Sequence, residues 1–324
     1  MNRTTLIAVL TAACVSVAAA PAYAQKTLKL AHDLEPSHTV AITFENMAQD
    51  LEKISGGKLK MRVYPSSQMG SARETLELLL NGGLDMTKGS SNLDAFAPVY
   101  SVWSLPYLFR DKEHADAVVY GPVGREIMAS TKDKGFIALA AYDTGTRSLF
   151  TKKPITTPED LKGLKIRVQP SPTSLKMIEL MGGSPTPINF GEVYTALQQG
   201  VIDGAENNIP TWVQTRVIEV ANVYTENEHT MVPDFLIVSS KIWDTLTPEE
   251  QGWLKQAAEN SETFERELWA KVMTEAREQS KALGGTIVPA DKAAFVKAVQ
   301  PLLDEYAKDP ANKALLDKIQ AVGK

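Results

Sequence analysis

Two stretches of this chain share one pattern, and that pattern limits the folds open to it. Glu74-Thr-Leu-Glu-Leu-Leu-Leu-Asn-Gly-Gly-Leu-Asp85 and Glu192-Val-Tyr-Thr-Ala-Leu-Gln-Gln-Gly-Val-Ile-Asp203 each read as a helix, a glycine stop and a strand opened by an aspartate. The Glu-to-Asp spacing is 11 in both. Helix–glycine–strand punctuation is common, so one match alone proves little. Its recurrence in the two halves of the chain favours two similar α/β lobes. Each copy runs into small and amide side chains, Ser90-Ser91-Asn92 and Gly204-Ala205-Glu206-Asn207-Asn208. These lie just past a strand's C-terminal end, where ligands bind in open α/β sheets.

The surrounding sequence carries βαβ punctuation. Thr27–Asp33 alternates as a strand, and Val40–Ile54 has helical spacing that stops at Gly56-Gly57. Leu59–Tyr64 is a second strand, and Ser71 with Glu74 makes a capping box. Strand Leu84–Thr87 follows, and the whole predicts parallel sheets flanked by helices. Thr247-Pro248-Glu249-Glu250 caps a much longer helix. Helical periodicity runs from Trp253 through Ala257 and Ser261 to Ala276 and is stopped by Gly284-Gly285. Residues 248–283 are either one rod of roughly 54 Å, long enough to back both lobes, or two helices broken near Ser261.

The first 24 residues read as a secretory signal: Arg3, an apolar stretch from Leu6 to Ala20, and Ala22-Tyr23-Ala24 as a cleavage site. The stretch is too short to span a bilayer. Lipidation at Cys14 lacks the expected leucine three positions earlier. Cys14 is the only cysteine, so the mature chain has no disulfide, thiol nucleophile or thiolate metal site. Losing Arg3 takes the net charge from −5 to −6, which predicts no attraction for nucleic acid or anionic lipid. An anionic ligand would need a local cationic pocket.

Catalytic motifs are lacking. None of His32, His38, His114 and His229 sits in His-Glu-x-x-His, and there is no Gly-x-Ser-x-Gly elbow, phosphate loop or dinucleotide fingerprint. His32-Asp33 with His38 does not match a usual metal spacing. No metal and no cofactor are expected.

Arg167 is the leading binding candidate. In Leu164-Lys-Ile-Arg-Val168 the apolar residues point one way and Arg167 the other, close to the strand's end. A guanidinium clamps a carboxylate with two parallel hydrogen bonds. The alternative is a structural ion pair or a solvated strand face. Arg147, after the flexible Thr144-Gly145-Thr146, is a second candidate or else a surface arginine in a hinge. Asn207 suits a carboxylate or hydroxyl, or else caps the helix near Pro210. Phe190 and Trp212 are apolar walls of a cleft or core residues.

Several motifs in order carry a family likeness. Gly163-Leu-Lys-Ile-Arg167-Val, the run Gly183–Gln198, Val201-Ile-Asp-Gly-Ala-Glu-Asn207, Tyr64-Pro-Ser-Ser-Gln-Met-Gly70 and Ser104-Leu-Pro-Tyr-Leu-Phe109 resemble the solute-binding proteins of TRAP transporters, DctP type. The likeness covers nearly the whole mature chain. It implies a periplasmic, two-lobed Venus-flytrap α/β fold with a long helix crossing both lobes. Lobe I would comprise 25–146 plus about 233–270, and lobe II 147–232 plus about 271–324. It implies an organic acid held by Arg167, with Arg147 and Asn207 near the carboxylate and Phe190 as a wall. Asp33 and Ser90 stand where sialic-acid members carry Asn and Glu, which argues against sialic acid. Ala205-Glu-Asn-Asn208 and Glu228-His229-Thr-Met-Val-Pro233 look similar to sugar-acid members. Asp33, His38, Ser90, Ser91 and His229 would then meet hydroxyls, with Asn208 and Trp212 also at the site.

The expectation is a monomer that closes on a uronate or aldonate and hands it to a two-part, Na⁺-coupled membrane permease. A C4-dicarboxylate or another small hydroxy or keto acid is the alternative solute. A periplasmic sugar-acid enzyme using His229 and Asp33, or a sensor's ligand-loaded partner, are the alternative classes.

Overall fold

The computed structural model describes residues 25–323; the signal segment and Cys14 lie outside them. Eleven strands occur among the described residues: β1 (Lys26–Ala31), β2 (Leu59–Tyr64), β3 (Met86–Gly89), β4 (Phe136–Tyr142), β5 (Arg147–Thr151), β6 (Lys165–Val168), β7 (Ser184–Pro187), β8 (Gly204–Asn207), β9 (Val223–Thr230), β10 (Asp234–Ser239) and β11 (Thr286–Pro289). They form two sheets, β2-β1-β3-β10-β4 and β11-β9-β5-β8-β6-β7. Buried apolar clusters cover both faces of each.

The expected parallel sheets are in fact mixed. β1 runs parallel to β2 and β3, and β6 runs parallel to β7 and β8. β10 is antiparallel to β3 and β4, and β5 is antiparallel to β8 and β9. The cause is connection length. β4 passes to β5, and β9 to β10, through only a few residues, so each incoming strand starts at the end where its new neighbours finish and runs against them. Each short link carries the chain from one sheet to the other, so each sheet holds one strand delivered from across the gap.

The repeated motif is structural. The two helices it contains, Ala72–Asn81 and Val193–Gln198, end at Gly82 and Gly200, with φ of 85° and 70°. A side chain would be strained in that left-handed region. Asp85 Oδ2 accepts the Lys29 N–H at 2.7 Å, and Asp203 Oδ2 accepts the Lys165 N–H at 2.8 Å. Each aspartate thus ties its strand to the parallel neighbour before the ladder begins. That is why β3 starts at Met86 rather than at Leu84.

The long helix is one piece, Pro248–Ala282, 35 residues and about 52 Å. Thr247 and Glu250 form its capping box. Ser261 does not break it: its hydroxyl bonds back to Ala258 O and meets the Tyr142 hydroxyl at 2.8 Å. Its N-terminal half packs on the helix Thr39–Ile54 and on β4, and its C-terminal half on the helix Ile209–Gln214. Glu262 accepts the Ala141 N–H and pairs with Arg125, while Glu265 accepts the Asp143 N–H. These carboxylates satisfy N–H groups along the β4 edge and at the start of the link to β5.

One boundary needs correction. The last helix, Pro310–Ala321, packs on lobe I rather than on lobe II. Ile319 is buried in the lobe I core, Gln320 donates to Leu108 O at 2.7 Å, and Arg110 donates to Val322 O at 2.7 Å. Its apolar stripe is short, and only this packing buries it. No helix among the described residues is long and apolar enough to cross a membrane.

Candidate functional site

The C-terminal ends of β1, β3, β6 and β8 face one another across a cavity holding about 700 Å³ of atom-free space, mouth included. Asp33, His38, Lys88 and Asn92 line it from one lobe. Arg147, Arg167, Gln169, Phe190, Asn207 and Asn208 line it from the other. Asp234 and Thr144 close it near the interlobe links. The lobes are drawn together: Ser171, which caps the helix Pro172–Leu180, donates to Asp94 Oδ2 at 2.5 Å, and Gln169 reaches Ser90 at 3.5 Å.

Arg167 behaves as the strand alternation predicts. Ile166 and Val168 face the core, and Arg167 faces the cavity while only 2% exposed. Its Nε donates to Ile188 O at 2.8 Å, and Phe190 lies 5.9 Å from its guanidinium carbon. Its two terminal nitrogens meet no acceptor, and no carboxylate pairs with it, among the described residues. Burial drives its pKa down to about 10, with Glu206 only partly opposing. A cation so placed lacks an anion.

Arg147 is not a hinge-surface arginine. It opens β5, is buried, and makes a two-point ion pair with Glu206 at 2.6 and 2.9 Å. Burial alone would raise the Glu206 carboxyl, but Arg147, helped by His229, brings it down to about 2. Asn207 Oδ1 accepts both Arg147 Nη1, at 3.0 Å, and the Asn208 N–H. Two donors on that atom identify it as the oxygen, and the amide hydrogens meet no protein acceptor among the described residues. The helix cap expected of Asn207 belongs instead to Asn208, which accepts the Thr211 N–H at 2.8 Å.

Asp33 and His38 line the cavity, with His38 also capping the helix Thr39–Ile54 through Nδ1. Burial lowers His32 and His38 to about 4, so both are neutral at pH 7. Four expected residues do not line it. Trp212 is a core residue whose indole donates to Ala221 O. His229 lies behind Glu206, its Nε2 3.4 Å from Glu206 Oε2 and its Nδ1 3.1 Å from Asn227 Oδ1. Ser90 and Ser91 are buried in the turn after β3, which directs Asn92 to the cavity in their place.

The sequence reading missed Lys88, Asp234 and Glu206. Lys88 Nζ sits 3.5 Å from Asp33 and 3.6 Å from Asp234. Burial opposes its charge, but Asp234 and Asp33 override that and hold its pKa above the usual range. A signal was available. Lys88 stands three residues after Asp85, and Glu206 three residues after Asp203. Extending the repeat by one turn of strand would have brought both charged groups into view.

A profile of the DctP family, "Bacterial extracellular solute-binding protein, family 7", matches residues 30–309. A TRAP periplasmic solute-binding protein from Xanthobacter autotrophicus, solved with bound β-D-galacturonate, is 40% identical with a TM-score of 0.88, covering 91% of this chain and 99% of that one. Another from Anaerococcus prevotii, solved with D-glucuronate, is 34% identical with a TM-score of 0.88, covering 91% and 97%. The 2,3-diketo-L-gulonate-binding periplasmic protein of Escherichia coli is 31% identical over 89% of this chain and 88% of its own. The family profile and this two-lobed geometry agree, and the chain belongs to the bacterial extracellular solute-binding proteins of family 7.

Proposed function

We propose that this chain captures a hexuronate in the periplasm and delivers it, in the closed form, to the membrane permease of a TRAP transporter, without turning it over. One observation carries the reading: Arg167 is a buried guanidinium with no anion of its own, in a cavity enclosed by both lobes. A solute carboxylate supplies that anion, with the free amide hydrogens of Asn207 as further donors and Phe190 as the apolar wall. Closure excludes water and strengthens these bonds, so the bound solute favours the closed form through contacts made only there. The relatives that bind glucuronate and galacturonate support the solute class. The enzyme alternative loses its acid–base pair, because His229 is turned toward Glu206 and Asn227. The test is calorimetric titration of the purified mature chain with galacturonate, glucuronate, malate, succinate and pyruvate. Heat from a uronate alone is the expected result. Silence with every uronate, in protein checked to be free of carried-over solute, would overturn the reading.

A further inference from the structure

The two halves of the cleft share one backbone plan, and their charges are opposite. β10 meets β3 with Phe235 opposite Gly89, and β5 meets β8 with Ser148 opposite Asn207. In that common register Asp234 corresponds to Arg147, and Lys88 to Glu206. The ion pair Lys88–Asp234 on one lobe is therefore the counterpart of Glu206–Arg147 on the other, with its polarity inverted. β1 meets β3 with Ala31 opposite Thr87, and β6 meets β8 with Arg167 opposite Ala205. The counterpart of Arg167 is thus Ala31. Lobe I has no second guanidinium there. Two residues further on it adds a carboxylate, Asp33, where lobe II has the neutral Gln169.

The groups at the lobe I end are also loosely engaged. The Lys88 contacts of 3.5 and 3.6 Å are long for an ammonium and a carboxylate. Asp33 Oδ1 is buried, and the long Lys88 contact is its one polar partner among the described residues. Two carboxylates share one ammonium at long range, which leaves a net negative end with weakly engaged acceptors. The remaining cation at the mouth, Arg73, is engaged by Glu77 at 2.9 Å. His32 and His38 face the same end as neutral rings.

Building on the proposed capture of a sugar acid, we infer that Asp33, Lys88 and Asp234 set specificity by receiving hydroxyls and rejecting a second carboxylate, so that the cleft takes polyhydroxy monocarboxylates and refuses aldarates and C4-dicarboxylates. The carboxylates accept from sugar hydroxyls and the ammonium donates to a hydroxyl oxygen. A second carboxylate brought there faces two like charges, a juxtaposition that costs affinity heavily when desolvated.

The experiment compares galacturonate, galactonate and galactarate by calorimetry on the mature chain. Galactonate and galactarate are both open chains, so their ratio isolates the second carboxylate from loss of the ring. The expected wild-type result is galactarate at least about 100-fold weaker than the better monocarboxylate. Asp33→Asn and Asp234→Asn should narrow that ratio by about tenfold or more, a change that a purely structural role would not produce. Galactarate or malate binding within threefold of the best monocarboxylate overturns the inference. So does a wild-type ratio that neither substitution alters. Galactonate bound and preferred over galactarate, with no uronate bound, would sink the uronate reading while leaving this selection rule in force.

Discussion

Arg147 and Arg167 are both buried arginines at the cavity, and their partners give them different work. Glu206 neutralises Arg147, whereas among the described residues Arg167 hydrogen-bonds only a backbone carbonyl. Arg167→Ala should weaken uronate binding by about 3–5 kcal/mol in calorimetry, and Arg167→Lys should recover little, since an ammonium cannot make the two-point bond. Because no internal carboxylate is orphaned by the change, the ligand-free melting temperature should not fall. Glu206→Gln should do the reverse and lower that temperature, since it leaves a buried guanidinium unpaired. The Glu206 carboxyl titrates lower folded, at about 2, than in an open chain, near 4.5. Its contribution is therefore complete above about pH 4.5 and fades as pH falls toward 2. Urea unfolding of wild type and Glu206→Gln across that range should converge at the acid end. Alternation in Leu164–Val168 made the direction of Arg167 legible in the sequence. The partner of Arg147 was not legible, because the pair joins residues on β5 and β8 that only the fold makes adjacent.

Among elements, the long helix and the repeated helix–strand units were readable from caps, glycines and spacing, all of which are local. The errors arose where a distant segment intervenes. Lys88 looks out of place in a buried four-residue strand until β10 brings Asp234 beside it. The last helix looked like a continuation of lobe II until Leu108 and Arg110 gave its end partners. The helix Pro172–Leu180 carries one of the interlobe contacts, its cap Ser171 bonded to Asp94. Ser171→Ala removes a hydrogen bond to a carboxylate that forms only when the lobes meet. It should weaken solute binding about tenfold, mainly by faster dissociation in stopped-flow measurements, with the open form more populated in solution scattering.

At the scale of the molecule, closure places several titratable groups in low dielectric at once. His32 and His38 are held neutral, with pKa values near 4 against about 6.5 in an open chain. An unfolded chain binds those protons first, so stability is full above about pH 6.5 and declines as pH falls toward 4. The urea midpoint should drop across that interval. His38→Asn, which keeps a capping side chain, should flatten the drop. The two-lobed plan followed from the repeat, but its mixed sheets did not, since strand direction depends on which segment crosses between lobes.

The exchange of β5 and β10 between the sheets also constrains how the chain can be made. β10 lies between β3 and β4, yet it follows the whole run from β5 to β9 in the chain. A nascent chain that stops short of Asp234 has the two strands on either side of a gap and nothing to fill it. Lobe I therefore cannot mature before most of lobe II has been synthesised, and the two lobes should acquire structure in a single late step rather than one after the other. A chain ended at residue 232 should accordingly show no cooperative melting transition, and neither lobe should be obtainable by cutting at one link.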